Sequence, residues 1–176
     1  MDGRGHLRFT VPGRRLAVGV ASTLVGVAVL AGAHGAPARS VGLRPPVVPS
    51  FAPVAATDLA VYRTAATACP GLPWTVLAAI GEVESSHGQL DRVSSAGAVG
   101  PMQFLPSTWA AYSTDGDADG IVQVDDPADA TATAVRYLCA NGGGTRSQLA
   151  TAIWNYNHSW PYVTRVLSLS AAMGAR

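Results

Sequence analysis

The chain has 176 residues, enough for one domain of ordinary size and a short appendage. Its twelve basic residues are all arginine, and they nearly balance eleven acidic residues. Six of the arginines precede residue 50, whereas residues 54–170 contain five Arg against ten Asp and Glu, a net charge of about −5. Such an acidic domain argues against nucleic acid as a partner, and the absence of lysine excludes the usual phosphate-binding loop that ends in Gly-Lys.

The first 33 residues have the organisation of an export signal. A basic segment through Arg15 precedes an apolar run over residues 16–30, and small residues that suit a signal peptidase end at Ala33. We expect cleavage after Ala33. Without cleavage, residues 16–33 just reach the length of a membrane-spanning helix, so a single N-terminal membrane anchor stays open as an alternative. Either arrangement predicts an exported protein, in the cell envelope or secreted.

A folded domain is expected over residues 54–170, after a linker over 34–53 that is rich in proline and alanine, and before a tail over 171–176. No alternating stretch is long enough for a main sheet, and residues 120–124 form at most a small hairpin arm. The fold is therefore predicted to be mainly α. Apolar spacing and capping signals predict six helices, over residues 57–69, 73–86, 107–112, 126–141, 148–156 and from 161 onward.

Two helix ends are specified by particular residues. Asp126 is expected to cap a helix that has Pro127 at its first position and a second acid, Asp129, three residues after the cap. Glu84 comes at the end of the second helix and continues its inward face. Glu82 lies two residues earlier, about 200° away around the helix, and is expected to point elsewhere.

The two cysteines, Cys69 and Cys139, have no spacing that is typical of a metal site. In an exported chain such a pair more often forms a disulfide than two free thiols. We therefore predict a Cys69–Cys139 bond.

Residues 79–109 contain a set of glycines and polar residues at fixed spacings: Glu84-Ser85, Ser94, Gly97-Ala98, Gly100, Met102-Gln103, Pro106 and Thr108. This set resembles the motif of the lytic transglycosylases of the goose-type lysozyme superfamily. The resemblance implies a single lysozyme-like catalytic domain, and it places the catalytic acid at Glu84. It also implies that the partner is a peptidoglycan glycan strand.

A second stretch, residues 152–157, resembles the Tyr-Asn motif of the same family, although the chain departs from that motif after Asn157. The resemblance implies that Tyr156 lies across the groove from Glu84 and orients either the carboxyl or the substrate N-acetyl group. Asn157 then shapes the groove wall. As an alternative, Tyr156 is a core aromatic residue with a satisfied hydroxyl.

Residues of the glycine-rich loop also carry over from the family. Ser94 and Gln103 are expected to form hydrogen bonds to the sugar, and Met102 to form an apolar floor. Polar residues in such a loop are also common turn formers, so that alternative stays open for Ser94 and Gln103. Apolar neighbours such as Trp74 and Met102 are candidates to desolvate Glu84 and keep it protonated near neutral pH.

The reaction that the resemblance implies needs only one carboxyl group. Most glycosidases pair two carboxyls, whereas in this family one Glu acts first as acid and then as base, and the product carries a 1,6-anhydromuramyl end. The chemistry requires no cofactor, and the enzyme is expected to be a monomer. Two alternatives stay open: a muramidase that admits water on the same fold, and a glycan-binding module that cleaves poorly.

An acidic stretch offers a possible calcium site. Asp115, Asp117, Asp119 and Asp126 fall at the first, third, fifth and twelfth positions of an EF-hand loop, and Gly120 falls at the sixth. Some lytic transglycosylases carry such a loop. The twelfth position is Asp where an EF-hand has Glu, and Asp126 is also the expected cap of the next helix. Calcium and ordinary turn formation therefore both remain open for this stretch.

Overall fold

A computed structural model of the chain describes residues 53–90 and 93–175. The predicted export signal and all but the last residue of the predicted linker lie outside these residues. Within them there are six helices and no strand, and Val99 and Phe104 form one isolated antiparallel bridge. The helices are α1 (Ala56–Ala66), α2 (Trp74–Ser85), α3 (Pro106–Tyr112), α4 (Pro127–Ala140), α5 (Leu149–Asn157) and α6 (Trp160–Gly174).

Helix α2 is the central element of the domain. Residues 75–81 are all buried, because this stretch carries no charged side chain and its only polar one, Thr75, is hydrogen-bonded to Ser170 on α6. The helix packs most extensively against α6 and also contacts α1 and α4. Each fully buried Val, Leu or Ile contributes roughly 1.5–3 kcal/mol of transfer free energy. The packing of α2 therefore fixes the direction of whatever follows its last turn.

Several helix ends agree with the local sequence. The Asp126 carboxylate accepts hydrogen bonds from the N–H groups of Ala128 and Asp129, and Pro127 takes the first helical position, as predicted. Helix α6 begins after Ser159, whose hydroxyl caps the N–H of Tyr162.

Three predicted boundaries need correction, one of which is the end of α1, at Ala66 and not at Cys69. Thr57 does not cap α1, because the helix already begins at Ala56 and its N-cap is Ala55, without a side-chain bond. Val54 packs against the core just before this point, which brings the chain into the helix earlier than the capping signal suggested. At the other end, α6 continues past residue 170 to Gly174, because Met173 is still buried.

The predicted disulfide is confirmed. Cys69 and Cys139 are bonded, with their Cα atoms 5.9 Å apart. The bond joins the segment after α1 to the last turn of α4. It closes a loop of 70 positions, for which chain entropy gives a stabilisation of about 4 kcal/mol.

Across residues 53–90 and 93–175, no helix combines the length and the apolar character needed to cross a membrane. Residues 16–33, where an anchor stays open, lie outside the described part of the chain.

Candidate active site

Glu84 lies in the last turn of α2 and is half-buried. The helix ends one residue later, and the next three residues, Ser86, His87 and Gly88, all have positive φ angles of 52°, 60° and 80°. This left-handed turn reverses the chain sharply. Glu84 is thereby presented at a helix end rather than along a helix side.

Ser85 fixes the turn to the glycine-rich loop. Its side chain is fully buried, and its hydroxyl donates to the Pro101 carbonyl at 2.6 Å and accepts from the Gly88 N–H at 2.7 Å. The Glu-Ser pair of the motif therefore has two separate roles in the structure. The serine connects α2 to the loop, and the glutamate is left to face the site.

The glycine-rich loop folds on itself through its own polar residues. The Ser94 hydroxyl accepts from the Ala98 N–H at 2.9 Å, so Ser94 serves as a turn former in the structure. The Gln103 side chain donates to the Gly100 carbonyl at 3.0 Å. A Cβ atom at Gly100 would lie 2.2 Å from the carbonyl oxygen of Val124, so only glycine allows this close approach.

Tyr162, which lies outside both sequence motifs, is the tyrosine that donates to Glu84. Its hydroxyl donates to Glu84 Oε1 at 2.6 Å, and the side chain is almost completely buried. The Tyr156 hydroxyl donates its hydrogen to the Met102 carbonyl at 2.8 Å. Since one phenol has one hydrogen to donate, Tyr156 holds the loop beside the site, and Tyr162 holds the carboxyl.

Both phenols stay protonated. Burial raises the pKa of Tyr156 and of Tyr162 well above its usual value, and the charge of the nearby Glu84 acts in the same direction. Neutral phenols are hydrogen-bond donors at any physiological pH. The Tyr162 hydroxyl therefore remains a donor to Glu84 across the physiological pH range.

A small cavity of about 110 Å³ lies between the glycine-rich loop and the end of α5. Its walls are largely aromatic, since Tyr156 packs against Phe104 at 5.8 Å and against Tyr137 at 5.6 Å between ring centroids. Gln103 and His158 also line it. The predicted sugar-binding residue Gln103 and the predicted Tyr156 therefore share one cavity.

Two predicted neighbours lie outside that cavity. Asn157 is exposed at the last position of α5 and does not line it. Trp74 begins α2, ten residues before Glu84, which is about 15 Å along the helix. It packs under the guanidinium of Arg63 instead, 5.0 Å from the ring centroid, so it cannot shield the carboxyl. Met102, which is 1% exposed, remains a candidate for that role.

The acidic loop before α4 brings three carboxylates together. Asp115, Asp117 and Asp129 each offer an oxygen, and these oxygens lie within 4.8 Å of one another. Asp129 is almost completely buried, and its two oxygens accept from the N–H groups of Gly116 and Gln123, each at 2.7 Å. Hydrogen bonds from loop N–H groups, that of Gly120 first, lower the pKa of Asp115.

The predicted ligands Asp119 and Asp126 are not in this cluster. Asp126 instead caps α4, and the Asp119 carboxylate accepts from the Ile121 N–H at 2.7 Å. The acid that turns into the loop is Asp129, three residues beyond the cap. The sequence analysis had noted Asp129 only as part of the helix start.

The described residues form a helical domain in which Glu84, at a helix end, accepts a hydrogen bond from Tyr162, while Tyr156, which feels the charge of Glu84, lines an aromatic cavity. The Transglycosylase SLT domain family matches residues 62–172, and the chain belongs to that family. At the level of the family it is a lytic transglycosylase that acts on peptidoglycan, which suggests a location in the cell envelope. No curated protein matches the chain.

Solved structures of lytic transglycosylases share its fold. Escherichia coli Slt35 in complex with bulgecin A is 19% identical, with a TM-score of 0.56 over 69% of this chain and 75% of that one. Slt35 in complex with calcium is 18% identical, with a TM-score of 0.56 over 69% and 76%. A 36 kDa muramidase/transglycosylase is 18% identical, with a TM-score of 0.55 over the same shares. At these identities the likeness shows the fold, and the predicted lysozyme-like fold is confirmed.

Proposed function

We propose that the chain is an exported peptidoglycan lytic transglycosylase in which Glu84 is the only acid and base. It cleaves the β-1,4 bond between N-acetylmuramic acid and N-acetylglucosamine and leaves 1,6-anhydromuramyl ends. The observation that carries this proposal is the 2.6 Å hydrogen bond from Tyr162 to Glu84 at the end of α2. This bond fixes the direction of the Glu84 carboxyl, which belongs to the sequence motif at the end of α2.

The other acids of residues 53–90 and 93–175 support a single-carboxyl reaction. Glu82 lies against His87, Asp58 lies on α1, and the remaining aspartates belong to the acidic loop and the start of α4. A two-carboxyl glycosidase needs its second group within about 5–10 Å of the first, across the scissile bond. Glu82 is directed to His87 and Asp129 accepts from two loop N–H groups, so the proposal assigns neither of them as the second group.

The chemistry follows from one carboxyl that gives and then takes a proton. Glu84 protonates the glycosidic oxygen, and the bond from that oxygen to C1 breaks while the N-acetyl oxygen of muramic acid supports the positive charge at C1. Glu84 then removes the proton of the 6-hydroxyl, whose oxygen closes on C1. The carboxyl ends as it began, and no water is consumed.

Glu84→Gln tests the proposal, because it keeps the shape of the side chain and removes the transferable proton. General acid and base catalysis is worth about a hundred- to ten-thousand-fold in rate, so the release of muropeptides from purified wall should fall by at least that much. Asp126→Asn is the matched control, because asparagine also caps a helix and Asp126 lies outside the site. It should digest wall at the parent rate.

Mass spectrometry of the released muropeptides separates the alternatives. Anhydro ends support the transglycosylase, and reducing ends support a muramidase on the same fold. A parent protein that binds wall and releases nothing would be a glycan-binding module. Digestion by Glu84→Gln at near the parent rate would contradict the assignment of the acid.

A second proposal concerns calcium, which Asp115, Asp117 and Asp129 would hold as a structural ion. Calcium prefers carboxylate oxygens at about 2.3–2.6 Å, so two ligands of one ion lie at most about 5 Å apart, which the 4.8 Å cluster satisfies. The solved structure of Slt35 in complex with calcium supports the choice of ion. The ion would stabilise the loop and take no part in bond cleavage.

Calorimetric titration of metal-free protein measures this directly. Asp117→Asn should weaken calcium binding and reduce the rise in melting temperature that calcium causes, because Asp117 is exposed and its loss leaves the fold intact. Asp126→Asn should bind like the parent. If Asp126→Asn is the variant that loses calcium, the EF-hand register is right and the cluster with Asp129 is not the site.

A further inference from the structure

The turn that follows Glu84 contains two residues, Ser86 and His87, that are not glycine and yet have left-handed backbone conformations. Such a conformation costs a residue with a Cβ atom roughly 1–2 kcal/mol. Backbone hydrogen bonds from the N–H groups of Ser86 and His87 to the carbonyls of Glu82 and Gly81 close the turn, and side-chain contacts add to them. Ser85 connects the turn to the glycine-rich loop. His87 connects the opposite side of the turn to α1.

The His87 imidazole connects this turn to α1. Its Nδ1 lies 2.9 Å from the hydroxyl of Tyr62, and its Nε2 lies 3.3 Å from Oε2 of Glu82. The imidazole is only 3% exposed, and neither Nε2 nor Oε2 is accessible to solvent. Since water cannot replace these contacts, the imidazole depends on Tyr62 and Glu82 as its polar partners.

The two partners also determine the tautomer of the ring. Nε2 faces a carboxylate oxygen, and a bare nitrogen lone pair there would be repelled, so Nε2 carries the hydrogen. In the neutral ring Nδ1 then accepts from the Tyr62 hydroxyl. The ring therefore has one hydrogen bond, to Tyr62 on α1, and one electrostatic contact at 3.3 Å, to Glu82 on α2, where Nε2 and Oε2 do not form a hydrogen bond.

Gly81 makes room for this arrangement. A Cβ atom at Gly81 would lie 2.2 Å from the Tyr62 hydroxyl and 3.4 Å from Nδ1 of His87. The Tyr62 hydroxyl can therefore lie this close to α2 only because residue 81 is glycine. Tyr62 itself is 5% exposed and packs in the core, so it is a rigid anchor for the ring.

Burial keeps the ring neutral in spite of the negative charges around it. Burial lowers the pKa of His87, while the negative charges of Glu82 and Asp58 oppose that shift. Asp125, on the segment before α4, lines a cavity of about 350 Å³ together with His87. Burial outweighs these acids, which agrees with the neutral tautomer that the contacts require.

We propose that His87 is a positioning residue, which acts through Tyr62 and Glu82 to fix the turn that sets the direction of Glu84. The inference rests on the proposed role of Glu84 as acid and base. A turn that is held by side chains on both sides keeps the carboxyl directed at the scissile bond, and a turn held only by Ser85 and its own backbone hydrogen bonds gives the carboxyl more freedom to rotate. The cost of losing His87 therefore falls on the chemical step rather than on substrate binding.

A double-mutant cycle on kcat tests this. His87→Phe keeps a ring and removes both nitrogens, and Tyr62→Phe removes the same hydrogen bond from the other end. Each variant should lose about tenfold in kcat with KM within about twofold, and the double variant should lose no more than either single one, because residues that act as a unit are not additive. His87→Gln offers one donor and one acceptor, and it should recover a large part of the loss.

Rates are compared per folded molecule, at a temperature well below each melting midpoint. A His87→Phe kcat within twofold of the parent would overturn the proposal. So would losses that multiply in the double variant, or a His87→Gln that is as poor as His87→Phe.

Hydrogen exchange gives a readout that does not depend on activity. The N–H groups of Gly88 and Leu90, which are hydrogen-bonded to the Ser85 hydroxyl and carbonyl, should exchange at least tenfold faster in Tyr62→Phe. Unchanged exchange there would overturn the anchoring of the turn by His87. If the parent releases no muropeptides, the proposed function fails, and this measurement still decides whether His87 holds the turn.

Discussion

Replacing Tyr162 by Phe removes one hydroxyl and leaves the ring, which makes it the most direct test of how Glu84 is oriented. The lost bond is short, 2.6 Å, and its acceptor is a carboxyl oxygen. Once Glu84 has donated its proton, this acceptor becomes fully charged, so the bond is stronger in the transition state than in the ground state. Interactions of that kind raise kcat rather than lower KM.

The magnitude follows from the charge on the acceptor. A hydrogen bond to a charged group is worth about 1.5–3 kcal/mol, and each 1.36 kcal/mol is a factor of ten in rate. Tyr162→Phe should therefore lower kcat for muropeptide release by about 10- to 150-fold. The assay is the initial rate of release from purified wall, with the folded fraction of each variant fixed by urea denaturation.

Tyr156→Phe is the matched comparison, since it removes a phenol hydroxyl from the same region. That hydroxyl donates to the Met102 carbonyl, a neutral acceptor, so its loss should cost about 0.5–1.5 kcal/mol of the free energy of unfolding and disturb the loop beside the cavity. We expect a smaller loss of kcat than for Tyr162→Phe. The reasoning is refuted if Tyr162→Phe retains at least a third of the parent kcat, or if Tyr156→Phe is the poorer enzyme.

Three further predictions concern stability. Replacing both Cys69 and Cys139 by Ser should lower the free energy of unfolding in urea by about 4 kcal/mol, and a loss under 1 kcal/mol would refute the entropic estimate. Gly81→Ala should cost about 1–3 kcal/mol in the same assay, because its methyl group would displace the Tyr62 hydroxyl. Since the pKa of His87 is lowered on folding, its neutral form contributes stability that is complete above the unfolded value of 6.5 and is lost as the pH falls below it. The melting temperature of the parent should then fall more between pH 7 and pH 5 than that of His87→Gln, and equal falls would contradict this.

Local signals in the sequence were sufficient for most of the helices. The Asp126 cap and Pro127 specify the start of α4 whatever surrounds them, because the carboxylate bonds to N–H groups only two and three residues away. Thr57 does not cap α1, because the start of that helix depends on a contact with the core and not on local hydrogen bonds. The packing of Val54 against the core starts α1 earlier, and a capping signal carries no information about that contact.

The acidic loop shows that matching positions to the EF-hand motif does not identify which carboxylates lie together. Asp126 matches the last EF-hand position, but a carboxylate that caps a helix is turned toward N–H groups and away from the loop. Asp129 is one helical turn further on and points back into the loop, where two N–H groups hold it. The sequence already gives Asp126 the competing role of a cap, but it does not show that Asp129 turns into the loop in its place.

The choice between two tyrosines could not be made from the sequence. Tyr156 and Tyr162 are six residues apart, on either side of the turn at His158, and both lie near the carboxyl. Which hydroxyl reaches Glu84 depends on how α6 packs against α2, across 78 positions of sequence. The family motif points to Tyr156, which precedes Asn157. Only the packing of the helices identifies Tyr162.

Three long-range contacts meet at the end of α2, and together they fix the turn beside Glu84. Ser85 reaches the glycine-rich loop, His87 reaches α1, and Glu84 itself receives α6, with partners 16, 25 and 78 positions away. None of these contacts can form in an isolated helix. The direction of Glu84 is therefore set by the packing of α1 and α6 on α2.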